Sequence, residues 1–213
     1  IPLTLGYTQT GTNDDYEEIT QRLRDLENEI GIKTFVFIDA ALNGLVLPFI
    51  GKDFSPLKNE RVQSFCLDFH KTGMSPIPCG VILYRGVIRS FVEKTIPYLQ
   101  EDDSTVLGSR SGISAVAAWA VIKHLGHEGF KKIVQERIKK KLEFKSEVEK
   151  DFPEVIITDA GGVSLGLVSK RPFPENFLSK YGLFAKKQSL KFRESIEKFY
   201  IYKASFLYRG EIR

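Results

Sequence analysis

Two hydrophobic segments of the sequence lead into polar side chains that could do chemistry. Phe35–Ile38 is followed directly by Asp39, and Ser64–Leu67 is followed, after two residues, by His70 and Lys71. A lysine amine that lies beside apolar walls is partly desolvated and can become a nucleophile toward carbonyl groups. Asp39 could serve such a site, or it could simply cap a following helix.

Both hydrophobic segments have the pattern of buried strands. Phe35–Ile38 is apolar on both faces, which is typical of a parallel strand covered by helices on both sides, and Ser64–Leu67 is a second strand-like segment. Ligands of open α/β sheets bind at the carboxyl ends of the strands, and the stretch between Asp39 and Lys71 is long enough for one crossover connection. The sequence therefore predicts that Asp39 and Lys71 lie at the same edge of one sheet. Thr72 and Gly73 leave the backbone room to turn beneath a ligand there.

The other elements follow from hydrophobic periodicity and from start and stop signals. Helices are predicted over 12–30, 111–124, 128–150 and 189–198, with Thr12, Asn13 or Asp14 as the first N-cap. Strands are predicted over 35–38, 64–67, 80–84, 155–158, 163–169 and 199–208. This order predicts an α/β region over 1–127, a connecting helix over 128–150 and a small α+β domain over 151–213.

Composition and charge exclude several classes of protein. Hydrophobic residues make up 42% and charged residues 27% of the 213 residues, as in globular domains and unlike disordered chains. No apolar run approaches the ~18 residues of a membrane span. The net charge of +4 is concentrated in 131–213, but the basic residues there alternate with glutamates at helical spacing. This pattern is typical of a solvated helix face, so we expect neither a nucleic-acid nor a membrane partner.

The cysteine content indicates the compartment. Cys66 and Cys79 lie in strand-like segments and do not have CxxC spacing. This favours buried free thiols in a reducing compartment, and hence the cytoplasm, over a disulfide or a metal pair. No metal site is predicted.

Three longer segments resemble one known family. The resemblance is to the pyridoxal-phosphate (PLP)-dependent group II amino-acid decarboxylases, and it is carried by FIDAALNGLVLPF, LDFHKTGMSPIPCGVILY and VLGSRSGISAVAAWAVIKHLG. It is closest to the bacterial histidine decarboxylases and the archaeal tyrosine/aspartate decarboxylases. The similarity is good from about Thr4 to Val134 and fades beyond Lys150. It implies the carboxyl-terminal part of a fold-type I PLP-dependent transferase large domain, with a mostly parallel sheet flanked by helices, followed by a small α+β domain.

The resemblance assigns roles to four residues near the predicted sheet edge. It implies that Lys71 holds pyridoxal 5'-phosphate covalently and that Asp39 pairs with the pyridine nitrogen and keeps it protonated. Ala41 would pack against one face of the ring. His70 would lie near the cofactor phosphate or hold the Lys71 loop.

Two further residues are implied with alternatives left open. Arg110, in the segment GSRSG, is a candidate for binding the substrate carboxylate, because a guanidinium binds a carboxylate bidentately. It could equally anchor a dimer interface or form an ordinary ion pair. Tyr98 falls where these enzymes tend to carry a mobile loop and is a candidate proton donor to the substrate carbon. Its alternative is an ordinary core or surface tyrosine.

The resemblance implies PLP-dependent decarboxylation of an L-amino acid to an amine and CO₂, with histidine as first choice and tyrosine or aspartate next. The alternatives are a PLP-dependent carbon–carbon lyase of the sphingosine-phosphate lyase type and a non-catalytic scaffold. The chain begins at Ile1, and its only methionine is Met74, so we expect the carboxyl-terminal half of a longer protein. The family's phosphate-binding loop and ring-stacking histidine would lie in the other half. The whole protein would be a homodimer, and this segment alone would be poorly active.

Overall fold

The amino-terminal part of the chain forms a mixed four-stranded sheet. The computed structural model describes residues 1–51, 54–98, 100–103, 111–183, 186–192 and 195–206. Strands β1 (Pro2–Thr4), β2 (Val36–Asp39), β3 (Val62–Asp68) and β4 (Gly80–Tyr84) lie in the order β1-β2-β3-β4. The pairs β1–β2 and β2–β3 are parallel, whereas β4 runs antiparallel to β3. The predicted α/β class with a largely parallel sheet is confirmed.

Helix α1 (Tyr16–Ile30) forms the crossover between β1 and β2. Asp15 is its N-cap, because its carboxylate accepts a hydrogen bond from the backbone amide three residues later. The sequence predicts this cap among residues 12–14, which is wrong. Asp14 is used elsewhere, since its Oδ2 accepts from the backbone amide of Thr4 at 2.7 Å and so holds the end of β1.

Side chains of this sheet alternate between two different faces. One face is buried in the main hydrophobic core and carries Val36, Ile38, Phe65 and Leu67. The other face is only partly covered by the described residues, and it carries Asp39, Cys66, Asp68 and Ile82. The polar strand ends therefore lie on the more open face.

A long helix connects the two parts of the chain. Helix α2 (Gly86–Val92) and the ribbon of β5 (Lys94–Ile96) and β6 (Glu101–Asp103) precede α3 (Ile113–Asp151). Helix α3 is interrupted at Gly126, where φ is 56°, between the two helices that the sequence predicts. Neither α3 nor any other helix in the described ranges is long and apolar enough to cross a membrane.

The carboxyl-terminal part forms a second, antiparallel sheet with one short helix. The elements are β7 (Ile156–Thr158), β8 (Ser164–Ser169), α4 (Glu175–Tyr181), β9 (Lys186–Phe192) and β10 (Ser195–Ser205). The strands lie in the order β7-β8-β10-β9.

The helix predicted over 189–198 is wrong, because the described residues of this stretch, 189–192 and 195–198, belong to two paired strands. β9 and β10 pair antiparallel, with Ser195 opposite Phe192, and β10 also pairs along most of its length with β8. The charged residues of this stretch recur at a spacing close to that of a helix. Pairing with neighbouring strands overrides this local pattern, as is common in sheets.

The small sheet packs against the loop that follows β1. Thr158 Oγ1 donates to the carbonyl of Thr10 at 2.7 Å. Gly11 has a φ of 65°, and a Cβ there would lie 2.4 Å from the Ser164 carbonyl oxygen, so only glycine allows this approach. Because β1 and β2 are parallel neighbours, these contacts bring the small sheet close to the edge where Asp39 lies.

Candidate active site

Lys71 lies just beyond the carboxyl end of β3, in a turn that begins at Asp68. Its backbone amide donates to the Asp68 carbonyl at 3.1 Å, and its Nζ lies 2.8 Å from Asp68 Oδ2. The Lys71 side chain is 39% exposed. The amine is therefore accessible from solvent and is held at the strand end by a carboxylate.

His70 links the same carboxylate to the segment before β4. Its Nδ1 accepts from the backbone amide of Cys79 at 3.1 Å, and its own amide donates to the Cys79 carbonyl at 3.2 Å. Because Nδ1 accepts a hydrogen bond, the proton of the neutral ring lies on Nε2, 3.5 Å from Asp68 Oδ2. These contacts close the Lys71 loop at its base. A contact between His70 and a phosphate stays a prediction.

Asp39 ends β2 beside Cys66 of β3. Asp39 Oδ1 accepts from the backbone amide of Ala41 at 3.0 Å and from Cys66 Sγ at 3.5 Å. Cys66 and Asp68 are two residues apart on β3, so Asp39 and Asp68 lie on the same face of neighbouring strands. Asp39 thus approaches the Lys71 turn from the next strand, as the sequence predicts.

The Cys66 side chain is a protonated donor at neutral pH. Burial, and next the negative charge of Asp39, raise the pKa of the Cys66 thiol to about 11. Both Cys66 and Cys79 are free thiols, and Cys79 is buried while Cys66 is partly exposed. Cys66 therefore supports the Asp39 carboxylate without competing for a proton.

Ala41 connects the ends of β2 and β3 through its backbone. Its amide donates to Asp39, and its carbonyl accepts from the Asp68 amide at 3.3 Å. The side chain is a single methyl group that is partly exposed. A small, partly exposed side chain is compatible with the ring contact that the resemblance implies for Ala41.

The loop after Lys71 contains two buried hydroxyl groups. Thr72 is 1% exposed and Ser75 is 7% exposed, and neither Oγ atom has a hydrogen-bond partner within the described ranges. A Cβ on Gly73 would lie 2.7 Å from Phe69 Cα, so the loop closes tightly on itself. Buried hydroxyls of this kind are normally satisfied by water or by a bound group.

Tyr98 and Arg110 are not brought to this cluster by the described structure. Tyr98 lies in the turn between β5 and β6 and is 83% exposed. No hydrogen bond of the described residues joins it to Lys71. Arg110 lies outside the described residues. The roles implied for these two side chains therefore stay predictions.

Lys203 is a further candidate for the site, and the sequence patterns did not predict it. It lies on β10 opposite Gly166 of β8 and is partly buried. Burial, and next the positive charge of Lys71, lower the pKa of Lys203 below its usual value. Lys203 of the small sheet is therefore a candidate to act near Lys71. A single lysine inside the apolar run 199–206 was the signal that could have identified it.

The residues present fit PLP. The cofactor's aldehyde needs an accessible amine and its ring nitrogen needs a carboxylate, and Lys71 and Asp39 are groups of these two kinds. The buried hydroxyls of Thr72 and Ser75 are groups that a bound molecule or water could satisfy. A metal site has no comparable support, because the described residues contain no group of three or more His, Cys, Asp or Glu side chains that could hold an ion.

Known proteins resemble this chain in sequence and in fold. Residues 1–171 match the pyridoxal-dependent decarboxylase conserved domain. A probable L-tyrosine/L-aspartate decarboxylase of Methanosarcina barkeri is 41% identical over 133 residues, which are 61% of this chain and 32% of the relative. An L-aspartate/L-glutamate decarboxylase of Pyrococcus horikoshii is 38% identical over 158 residues, or 68% and 39% of the two chains. L-methionine decarboxylase from Streptomyces sp. 590 superposes with a TM-score of 0.74 at 18% identity, covering 97% of this chain and 49% of that one.

These matches include the residues that build the site. The chain spans less than half the length of each of these three relatives. The structural likeness shows a shared fold, as the resemblance predicts. The matched region includes Asp39, Ala41, His70 and Lys71, whereas Lys203 lies beyond it. Because the match extends over most of its residues, this chain belongs to the pyridoxal-dependent decarboxylase family.

Proposed function

We propose that the protein containing this chain decarboxylates an L-amino acid to the corresponding amine and CO₂, with PLP bound at Lys71. The observation that carries the proposal is the placement of the Lys71 amine and the Asp39 carboxylate at the ends of neighbouring strands. Lys71 is accessible and lies 2.8 Å from Asp68 Oδ2, and Asp39 is held by Ala41 and Cys66. An amine and a carboxylate in this relation are what PLP chemistry requires of the protein.

Each of the site residues then has a defined task. PLP, when bound, supplies the electron sink that accepts the negative charge left by departing CO₂. Asp39 holds a proton at the ring nitrogen, and the Ala41 methyl group leaves room for the ring. The Asp68 backbone carbonyl and His70 hold the Lys71 turn, and the two hydrogen bonds between His70 and Cys79 support this task.

Two cations are available for the substrate's negative charge. We assign Lys203 to a carboxylate of the substrate, because its partly buried ammonium is close enough to Lys71 for their charges to interact. The Arg110 guanidinium is proposed as a second carboxylate partner. Tyr98 is proposed as the proton donor to the substrate carbon, and its exposed position in the turn of the β5–β6 ribbon is suited to a group that reaches a site from outside.

The substrate is proposed among acidic and aromatic amino acids. The names of the relatives favour tyrosine, aspartate and glutamate. Histidine, the first choice from the sequence, stays a prediction. The free thiols support a cytoplasmic location.

A homodimer that includes the rest of the protein is proposed. An apolar stripe on α3 supports it, because the described residues leave this stripe exposed. The stripe consists of Ile113, Val116, Trp119 and Ile122. We expect this segment alone to be poorly active.

The test is borohydride reduction of the PLP-loaded full-length protein, followed by peptide mapping and product analysis. We expect a reduced adduct on Lys71, and CO₂ plus an amine from a panel of tyrosine, aspartate, glutamate and histidine. The K71A variant should give no adduct, whereas K33A, which removes an exposed lysine before β2, should behave like the parent. An aldehyde product would indicate a carbon–carbon lyase instead. Absence of any adduct would indicate a non-catalytic scaffold.

A further inference from the structure

Helix α3 places a buried arginine against the loop that carries Lys71. Arg137 is 4% exposed, and its Nη1 donates to the carbonyl of Thr72 at 3.2 Å. Thr72 is the residue immediately after Lys71 and is itself 1% exposed. The guanidinium therefore contacts the backbone one residue from the amine, on the interior side of the loop.

Arg137 occupies a position where packing alone would favour an apolar side chain. Buried residues of α3 recur at spacings of three and four residues, and those from position 134 onward are Val134, Arg137, Lys141, Phe144 and Val148. Burial of a guanidinium is unfavourable unless the group is well paired, and an apolar side chain of similar volume is often as stable or more so. Helix packing therefore gives no reason for an arginine, but the hydrogen bond to Thr72 does.

The loop that Arg137 contacts has an unusual backbone conformation. Met74 has a φ of 59°, which non-glycine residues rarely adopt, and the Ser75 amide donates back to the Phe69 carbonyl at 2.9 Å. A conformation of this kind persists only where surrounding contacts fix it. The bond from Arg137 is such a contact, and it acts on the carbonyl that follows Lys71.

We propose that Arg137 is a positioning residue that fixes the backbone at Lys71, so that the lysine amine is presented to PLP. This proposal rests on the proposed function, because it takes Lys71 as the lysine that binds PLP. The arginine is held on a rigid support, since α3 also contributes Phe144 and Val148 to the core of the small sheet. Arg137 thereby links the Lys71 loop to the second core of the protein.

The chain offers a matched control on the same face of α3. Lys141 is also buried, at 1% exposed, but its Nζ pairs with Asp159 Oδ1 at 2.6 Å and does not contact the Lys71 loop. The double variant K141M/D159N removes a buried cation together with its partner, which leaves no unpaired buried charge. R137M removes the guanidinium at similar side-chain length, and R137K keeps one charged donor.

The experiment measures the rate at which PLP becomes attached to Lys71 in the full-length protein, after borohydride reduction and peptide mapping. We expect R137M to lower this rate on the order of 10²-fold, because small displacements of a reacting group have effects of that size. Amide hydrogen exchange over 72–75 should become faster in R137M. In steady-state turnover kcat should fall while KM for the amino acid is unchanged. R137K should recover part of the loss, and K141M/D159N should match the parent in all three measurements.

Two results would overturn the proposal. In the first, R137M attaches PLP and exchanges the amides of the Lys71 loop at the same rates as the parent. The same conclusion follows if R137M and K141M/D159N are both slower than the parent by the same amount. If R137M does not fold, R137K decides, and a folded R137K with the parent's attachment rate and loop exchange shows a purely structural role. In the second, the parent protein itself gives no adduct on Lys71, and then the proposed function fails as well.

Discussion

The thiol of Cys66 donates a hydrogen bond to Asp39 Oδ1 across the parallel pair β2–β3, with 3.5 Å between Sγ and Oδ1. The same oxygen accepts from the backbone amide of Ala41 at 3.0 Å. Two donors on one oxygen hold the carboxylate in a single orientation, and Oδ2 has no hydrogen-bond donor among the described residues. Asp39 is therefore oriented before any cofactor binds.

Replacing Asp39 by asparagine should impair turnover much more than it impairs folding. An amide cannot hold a proton on the ring nitrogen as a carboxylate does, so we expect kcat to fall on the order of 10²-fold or more at saturating PLP. Steady-state kinetics with added PLP measure this change. D25N, which changes an exposed carboxylate on α1, is the control and should keep the parent's kcat. An active D39N enzyme would show that the ring nitrogen has another partner.

The Cys66 thiol should resist alkylation until the solution is strongly alkaline. Because its pKa is raised to about 11, the reactive thiolate fraction at pH 8 is on the order of 10⁻³. In a C79S background, the rate of iodoacetamide labelling at Cys66 should rise with pH until about pH 11. Labelling that levels off near the ordinary thiol pKa would contradict the bond to Asp39.

The same shift predicts a loss of stability in alkaline solution. The pKa of Cys66 is higher in the folded state than in the unfolded chain. The contribution of Cys66 to the free energy of unfolding is therefore fully present below the unfolded pKa of about 9.0 and is lost as the pH rises through about 11. Urea unfolding midpoints measured between pH 8 and pH 11 should fall for the parent. They should fall less for C66S, whose hydroxyl donates to Asp39 but does not ionise in this range.

Much of the site could be predicted from the sequence because it depends on local order along two strands. Asp39 and Lys71 each follow an apolar segment directly, and parallel strands place their carboxyl ends together. Lys203 could not be predicted in this way, because it comes from a different sheet and is brought near Lys71 only by the packing of that sheet on the loop after β1. The contact between Arg137 and Thr72 is equally remote in sequence, since the two residues are separated by 65 positions.

The two wrong predictions about the fold also arise from contacts between residues that are distant in sequence. The stretch 189–198 has a helix-like charge pattern, but its backbone pairs with neighbouring strands instead. The N-cap of α1 is Asp15 and not Asp14, because the Asp14 carboxylate accepts a hydrogen bond from the backbone amide of Thr4. In both cases, a partner distant in sequence decides between local alternatives that the sequence leaves nearly equal.

Removing the Asp68 carboxylate should make Lys71 more available to PLP. The ion pair between Asp68 Oδ2 and Lys71 Nζ is partly exposed, and such ion pairs stabilise a protein by about 1 kcal/mol or less. If the pair must open before Lys71 reacts, this energy corresponds to a factor of about five in the rate. We therefore expect D68N to attach PLP up to about fivefold faster when apoprotein and PLP are mixed in a stopped-flow absorbance experiment. E18Q, which removes the exposed pair with Arg22 on α1, should not change the rate. A slower D68N would mean that this carboxylate activates the amine.

The final prediction concerns the pH dependence of substrate binding through Lys203. If its ammonium binds a substrate carboxylate, K203M should raise KM about tenfold or more, since hydrogen bonds between charged groups contribute most. Burial lowers the pKa of Lys203, so its positive charge is lost at a lower pH than that of an ordinary lysine. The KM of the parent should therefore rise in alkaline solution, whereas the always-charged K203R should show a smaller rise. Titration of the substrate amine affects both enzymes equally and cancels in this comparison. K198M, which changes an exposed lysine on the same strand, should follow the parent, and an unchanged KM in K203M would remove Lys203 from the site.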